Sequence, residues 1–180
     1  MSAVARRYAK ALFALAKESA ALEATAEQLE RVTRVAEDPA VAAVLRNPLL
    51  SPDRRTGIVN ALVEQLALPD LFARFLRLLA DQQRLDEIAS IHAHYQRMLD
   101  DALGRVRATV RSARALQPQQ QAELLAIFRT LTNKEVLPTV FVEPDLLGGV
   151  VVEVAGKVYD GSVRTLLHRL AKELSGTASF

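Results

Sequence analysis

At Arg105 the spacing of apolar residues changes from about every 3.6 residues to every second residue, and neither an all-helical nor an all-strand fold accommodates that change. Before it, Val4, Tyr8, Ala11, Leu12 and Leu15 fall on one face of a helix, and Ala5, Ala9, Phe13 and Ala16 add a second apolar face. After it, Val106, Ala108 and Val110 alternate with Arg105, Arg107, Thr109 and Arg111, the pattern of a half-buried strand. The chain therefore reads as α+β, with a helical part over residues 1–104 and a small mixed α/β part over residues 105–180.

The first part is helical with short breaks. Leu22, Ala26, Leu29, Val32 and Ala36 predict a second helix that ends near Asp38-Pro39. A short helix with Val41, Val44 and Leu45 is expected to stop at Asn47-Pro48, because the residue before proline disfavours the helical region. Ser51-Pro52-Asp53 is a strong helix start: Ser can cap, Pro suits the first turn, and Asp favours the positive dipole end. Ile58, Val59, Leu62, Val63 and Leu66 then form a stripe. Pro69-Asp70 opens a helix with Leu71, Phe72, Phe75, Leu76, Leu78 and Leu79, again apolar on more than one face. The last helix carries Leu85, Ile88, Ile91, Tyr95, Met98, Leu99 and Leu103, and Gly104 can close it in the left-handed region. No Pro/Gly/Ser-rich linker follows, so this helix is expected to lead straight into the first strand.

In the second part Gln117-Pro118 starts a helix with Leu124, Leu125, Phe128 and Leu131. Thr139 to Val142, Val150 to Val154 and Lys157 to Tyr159 read as strands, with Gly148-Gly149 as a turn or bulge of positive φ. Ser162 can cap a final helix with Val163, Leu166, Leu167 and Leu170 facing inward, and the polar end Ser175 to Phe180 is expected to fray. The order is β-α-β-β-β-α.

Composition narrows the chemistry. There is no Cys, which removes disulfides, thiolate metal sites and Cys nucleophiles, and no Trp. Charges interrupt every apolar run well short of the roughly 18 residues that a membrane span needs. Any membrane link is expected to be indirect, through a partner. His92 and His94 lie two apart on a helix and diverge, so they do not share a metal. Asp86-Glu87 and Asp100-Asp101 are adjacent, hence divergent, carboxylates and read as solvated surface. Gly148-Gly149 precedes a strand rather than a helix, the wrong order for a phosphate cradle. No catalytic residue, cofactor site, metal site or small-molecule substrate is expected.

Two features point to partners. Arg105, Arg107, Arg111 and Arg114 lie in a stretch with no acid between Arg105 and Gln121. They read either as the charged face of an edge strand or as a surface for an acidic partner or nucleic acid. RNA recognition by a small sheet usually brings stacking aromatics, and the first strand has none. The second feature is the pair of two-faced helices at 4–18 and 70–80. Such helices are either buried all round or present one face to another chain. A groove between them, lined by Tyr8, Ala11, Leu12, Leu15, Leu71, Phe75, Leu78 and Leu79, would receive an amphipathic helix.

Several segments, in their order and spacing, resemble the delta subunit of bacterial rotary ATP synthases, related to the mitochondrial oligomycin-sensitivity-conferring protein. They are Ala5-Arg6-Arg7-Tyr8-Ala9-Lys10-Ala11-Leu12-Phe13, Asn47-Pro48 with Ser51-Pro52, the run from Phe75 to Leu85, and the tail with Gly148-Gly149, Asp160-Gly161-Ser162 and Leu170. The resemblance spans essentially the whole chain. It implies a non-enzymatic stator subunit that joins the catalytic head to the peripheral stalk, so that proton-driven rotation is coupled to ATP synthesis. It implies a six-helix bundle at 1–104 that grips N-terminal helices of alpha subunits through its first and fifth helices. It implies a domain at 105–180 that binds the C-terminal end of the b-subunit stalk, for which Arg105, Arg107, Arg111 and Arg164 are the candidate contacts. The implied location is peripheral, on the cytoplasmic face of the bacterial membrane. A nucleic-acid adaptor using residues 105–114 is the competing expectation.

Overall fold

A computed structural model of the chain describes residues 2–45 and 51–168. The Asn47-Pro48 helix stop, Leu170 and the end Ser175 to Phe180 lie outside the described residues. The chain divides into two compact units between Leu99 and Asp100.

The first unit is helical. It contains α1 (Ala3–Glu18), α2 (Leu22–Ala36), α3 (Pro39–Leu45), α4 (Pro52–Gln65), α5 (Asp70–Asp81), a 3-10 turn (Leu85–Glu87) and most of α6 (Ile88–Ala102). Capping chemistry sets the starts. Ser2 Oγ accepts from the Ala5 N–H at 3.3 Å and donates to Glu87 at 2.9 Å. Ser51 caps α4, with Pro52 in its first turn. Three helix ends carry no glycine. Ala20, Ala67 and Gln83 take φ of 51°, 46° and 56°. In each case the next N–H reaches back six residues inclusive: Ala21 to the Ala16 carbonyl, Leu68 to Val63 and Arg84 to Leu79. These are Schellman ends, in which the backbone bonds offset the strain of a left-handed side chain.

The core of this unit joins Ala5, Ala9, Leu12 and Ala16 of α1 to Leu29 and Val32 of α2, Val59 of α4, Phe72, Leu76 and Leu79 of α5, and Ile91 and Tyr95 of α6. α3 supplies no fully buried residue. Tyr95 is completely buried; it meets Phe13 edge-on at 5.5 Å and donates its hydroxyl to the Leu22 carbonyl at 3.0 Å. Burial pushes its ionisation from 10.0 up to about 12, with a hydrogen bond to Thr25 acting the other way. The folded chain therefore keeps the phenol neutral where the unfolded chain would ionise. That stabilisation is intact below about pH 10 and is lost as pH rises to about 12. Chemical unfolding at about pH 9 and about pH 12 is expected to show wild type losing roughly 2 kcal/mol more over this interval than Tyr95→Phe.

The second unit contains β1 (Arg105–Ser112), α7 (Pro118–Thr132), β2 (Glu135–Val142), a 3-10 turn (Pro144–Leu146), β3 (Val150–Val154) and β4 (Lys157–Asp160), and residues 163–168 are helical. The sheet order is β2-β1-β3-β4. β1 pairs parallel with β2, across α7, and antiparallel with β3. Ala108, Val110, Val136, Val152 and Val154 form a core with Phe128 of α7, and Tyr159 meets Phe128 edge-on at 5.2 Å. The Gln120 side chain accepts from the Gln117 N–H at 3.0 Å at the start of α7, and Asn133 ends it at φ 52°.

Four readings change. Val163, Leu166 and Leu167, expected to face inward, are exposed. β1 is an inner strand, not an edge: β2 returns on one side of it and β3 on the other. β2 begins at Glu135, ahead of the expected Thr139, and runs through Pro138, which pairs with Ala108. β2 is an end strand of the sheet, where a proline need not cost a ladder bond. Asp100 is not solvated surface. It is buried and accepts from Arg107 Nε at 2.7 Å and Nη2 at 3.4 Å. Asp101, its exposed neighbour, meets Lys134 at 3.0 Å. A buried acceptor of a charge-assisted pair costs more to remove than an exposed one. Asp100→Ala is expected to lower stability by about 1–2 kcal/mol and Asp101→Ala by under about 0.5 kcal/mol, measured by denaturant unfolding.

Candidate functional site

The feature most suited to recognition is an apolar groove in the first unit, between α1 and α5. It has a volume of about 510 Å³ and is lined by Tyr8, Ala11, Leu12, Leu15, Asp70, Leu71, Arg74, Phe75 and Leu78. Helical geometry explains it. On α1 the alanine-rich face of Ala5, Ala9 and Ala16, with Leu12, is buried, and Tyr8, Ala11 and Leu15 turn about a third of a turn away. On α5, Phe72, Leu76 and Leu79 face the core, while Leu71, Arg74 and Leu78 follow the i, i+3, i+7 row outside it.

Burial divides the lining. Leu12 and Phe75 are buried and form the floor. Leu15 at 48%, Leu71 at 36% and Leu78 at 47% exposure form apolar walls. Large side chains left this open along one continuous strip mark a surface that another molecule can cover. Ala11 has no bulk to obstruct a close helix approach.

Seven of the eight groove residues expected from the sequence line it together. Leu79 does not. It is 0% exposed, because one residue beyond Leu78 the helix has turned by about 100° and points the side chain into the core. Asp70 and Arg74 also line the groove and were not among the expected residues. Their spacing of four places them on one helix face, and they pair at 3.6 Å. A signal was available: Arg74 falls three residues after Leu71 and four before Leu78, on the same row.

Four arginines of the second unit, Arg105, Arg107, Arg111 and Arg164, have intramolecular partners. Arg105 meets Glu135 at 3.2 Å, Arg107 meets Asp100 and Arg111 approaches Glu143 to 4.0 Å. Arg164 donates to the Asp145 carbonyl. Cations already engaged by carboxylates are poor phosphate ligands, and the nucleic-acid adaptor reading gains no support. Exposed apolar residues of this unit include Ile127 and Leu131 on α7, Phe141 and Val142 on β2, Leu147, Val158, Leu166 and Leu167. Among the described residues no group of three or more His, Asp or Glu is placed to hold a metal, and no helix is long and apolar enough to cross a membrane.

Comparison with known proteins gives a consistent answer. The family model described as ATP synthase delta (OSCP) subunit matches residues 4–174. The ATP synthase subunit delta of Anaeromyxobacter dehalogenans is 39% identical over 175 residues, covering 97% of this chain and 98% of that protein. The ATP synthase subunit delta of Desulforamulus reducens is 36% identical over 178 residues, covering 98% of each. Among solved structures, a chain of the Toxoplasma gondii mitochondrial ATP synthase hexamer superposes with a TM-score of 0.68 at 24% identity, covering 99% of this chain and 100% of that one. At that identity the last likeness speaks for the fold alone.

Proposed function

This chain belongs to the ATP synthase delta (OSCP) family, so it is a structural, non-catalytic subunit of the rotary ATP synthase, and we propose that it acts as the stator linker through two separate docking surfaces. Residues 1–104, as a six-helix bundle, bind the N-terminal helix of an alpha subunit in the groove between α1 and α5. Residues 105–180 bind the C-terminal end of the b-subunit stalk. This chain sits peripherally, on the cytoplasmic face of the bacterial membrane, and meets the membrane only through its partners.

The observation that carries this reading is the open apolar strip of Leu15, Leu71 and Leu78 over a floor of Leu12 and Phe75. Tyr8, Leu12 and Leu15 on α1 and Leu71, Phe75 and Leu78 on α5 each fall at i, i+4 and i+7, so each wall is one helix row and the apolar trough between them suits the apolar face of a third helix. Fully covering a leucine side chain stabilises by about 1.5–3 kcal/mol gross, before association costs are subtracted. A static joint needs affinity rather than turnover, and attachment at two surfaces raises the effective concentration of each.

For the stalk, Arg105, Arg107, Arg111 and Arg164 remain candidate contacts. Their carboxylate and carbonyl partners mean that they would act by exchanging an existing pair. The exposed Ile127 and Leu131, at i and i+4 on α7, offer an apolar alternative that needs no such exchange.

The test is calorimetric titration of the full chain with a synthetic peptide of the alpha subunit's N-terminal helix, at low and high salt. Saturable 1:1 binding that persists in high salt is the expected result. Absence of binding to the folded chain would sink the groove assignment.

A further inference from the structure

The groove's edges carry charges that its apolar floor does not require. On the α5 wall, Arg74 lines the groove beside Asp70. Their contact is loose at 3.6 Å, and the side chains are 79% and 91% exposed. A pair of that kind contributes little, so an incoming carboxylate can take Arg74 over. On the α1 wall, the Arg7 guanidinium lies 5.4 Å from the centre of the Tyr8 ring, which itself lines the groove. Arg7 is exposed and meets no carboxylate among the described residues. The groove lining thus holds one cation, Arg74, and one loosely paired carboxylate, Asp70, and Arg7 borders the opposite wall through Tyr8.

Resting on the reading that this groove receives a helix, we propose that it selects an amphipathic helix whose apolar stripe is bordered on both flanks by carboxylates, with Arg74 as the principal selector and Arg7 as the second. The apolar stripe supplies affinity. The borders supply discrimination, because the rim stays solvated and charge complementarity there favours one border over its opposite. A lysine border would face Arg74 and Arg7 with like charge, whereas a glutamate border accepts from both. Asp70, released from Arg74, then faces the flank of the docked helix, where a basic residue one turn further along would suit it.

The experiment uses the full chain and four synthetic helical peptides of about 20 residues. Three share one leucine and alanine stripe and carry Glu, Gln or Lys along both borders. The fourth has Glu borders and glutamine in place of the stripe leucines. The expected order is Glu over Gln over Lys, with Glu preferred to Lys by about tenfold at low salt. That preference should shrink to about twofold at about 0.5 M salt, since screening acts on the borders and not on the stripe. Arg74→Glu is expected to reverse the Glu/Lys order and Arg74→Gln to flatten it. Arg74 is solvent-facing, and circular dichroism checks that each variant is folded. Equal binding of the three striped peptides, or an unchanged order in Arg74→Glu, overturns the selector while leaving the groove reading intact. If the stripe-broken peptide binds as well as its striped counterpart, or if no peptide binds, the groove reading itself fails and the selector with it.

Discussion

Leu78→Asp is expected to weaken alpha-helix peptide binding by at least about 100-fold while leaving the chain folded. An aspartate placed under a docked apolar stripe has no partner there, and burying an unpaired carboxylate costs several kcal/mol. In the free chain Leu78 is half exposed, so the same change costs stability little more than about 0.5 kcal/mol. The neighbouring position gives the opposite result. Leu79 is wholly buried, and Leu79→Ala removes core contacts and leaves a cavity, for a loss of about 2–5 kcal/mol. Calorimetric titration and denaturant unfolding of both variants separate the two roles across one peptide bond. A Leu78→Asp chain that is folded and still binds would refute the groove as the docking surface.

Gly149→Ala is the second large effect, and it concerns the sheet unit. Gly149 has φ +80°, and a Cβ built there would stand 2.2 Å from the Gly161 carbonyl oxygen, with the Gly161 carbon and Ser162 Cα both at 3.1 Å. These atoms are backbone and cannot swing aside. Two backbone bonds hold the segments together on either side: Gly161 N–H to the Val150 carbonyl at 2.9 Å and Val163 N–H to the Gly148 carbonyl at 3.0 Å. The substitution therefore forces β3 and the turn after β4 apart, at a cost of roughly 3 kcal/mol or more. For a unit of this size the melting temperature should fall by more than about 10 °C. Gly156→Ala is the control. Its φ is +74° but nothing lies within 4 Å of the added Cβ, so only the left-handed strain remains, about 1 kcal/mol. Equal melting shifts for the two variants would show that close approach at Gly149 is not the cause. Amide exchange in β3 and β4 locates the loss.

Both variants act on features with different legibility. The groove between α1 and α5 could be approached from the sequence because helical periodicity is a local property: Tyr8, Ala11 and Leu15, and Leu71 and Leu78, share faces whatever the surroundings. Leu79 was misassigned because α5 is apolar over so much of its circumference that spacing alone does not separate wall from core. Gly149 was legible as a position of positive φ, but its nearest obstacle, Gly161, is set by how two turns meet. The helix ends at Ala20, Ala67 and Gln83 were invisible. A left-handed end is recognised in sequence by glycine or asparagine, and here three ends reach the same geometry with ordinary residues held by backbone bonds.

The sequence by itself determined the α+β class, the change of period at Arg105, the two-faced character of α1 and α5, and, through family resemblance, the role in the ATP synthase. Each of these depends on residue order along a single element or on the whole pattern. Only the tertiary structure decided which face of α1 turns inward, that β1 lies inside the sheet, and that Asp100 is buried against Arg107. The physical reason is that periodicity states a direction about an element's own axis and is silent on which neighbour occupies it. On α1 the small side chains of Ala5, Ala9 and Ala16 allow neighbouring helices to pack closely, so that face closes and the face of Tyr8, Ala11 and Leu15 stays open along the groove.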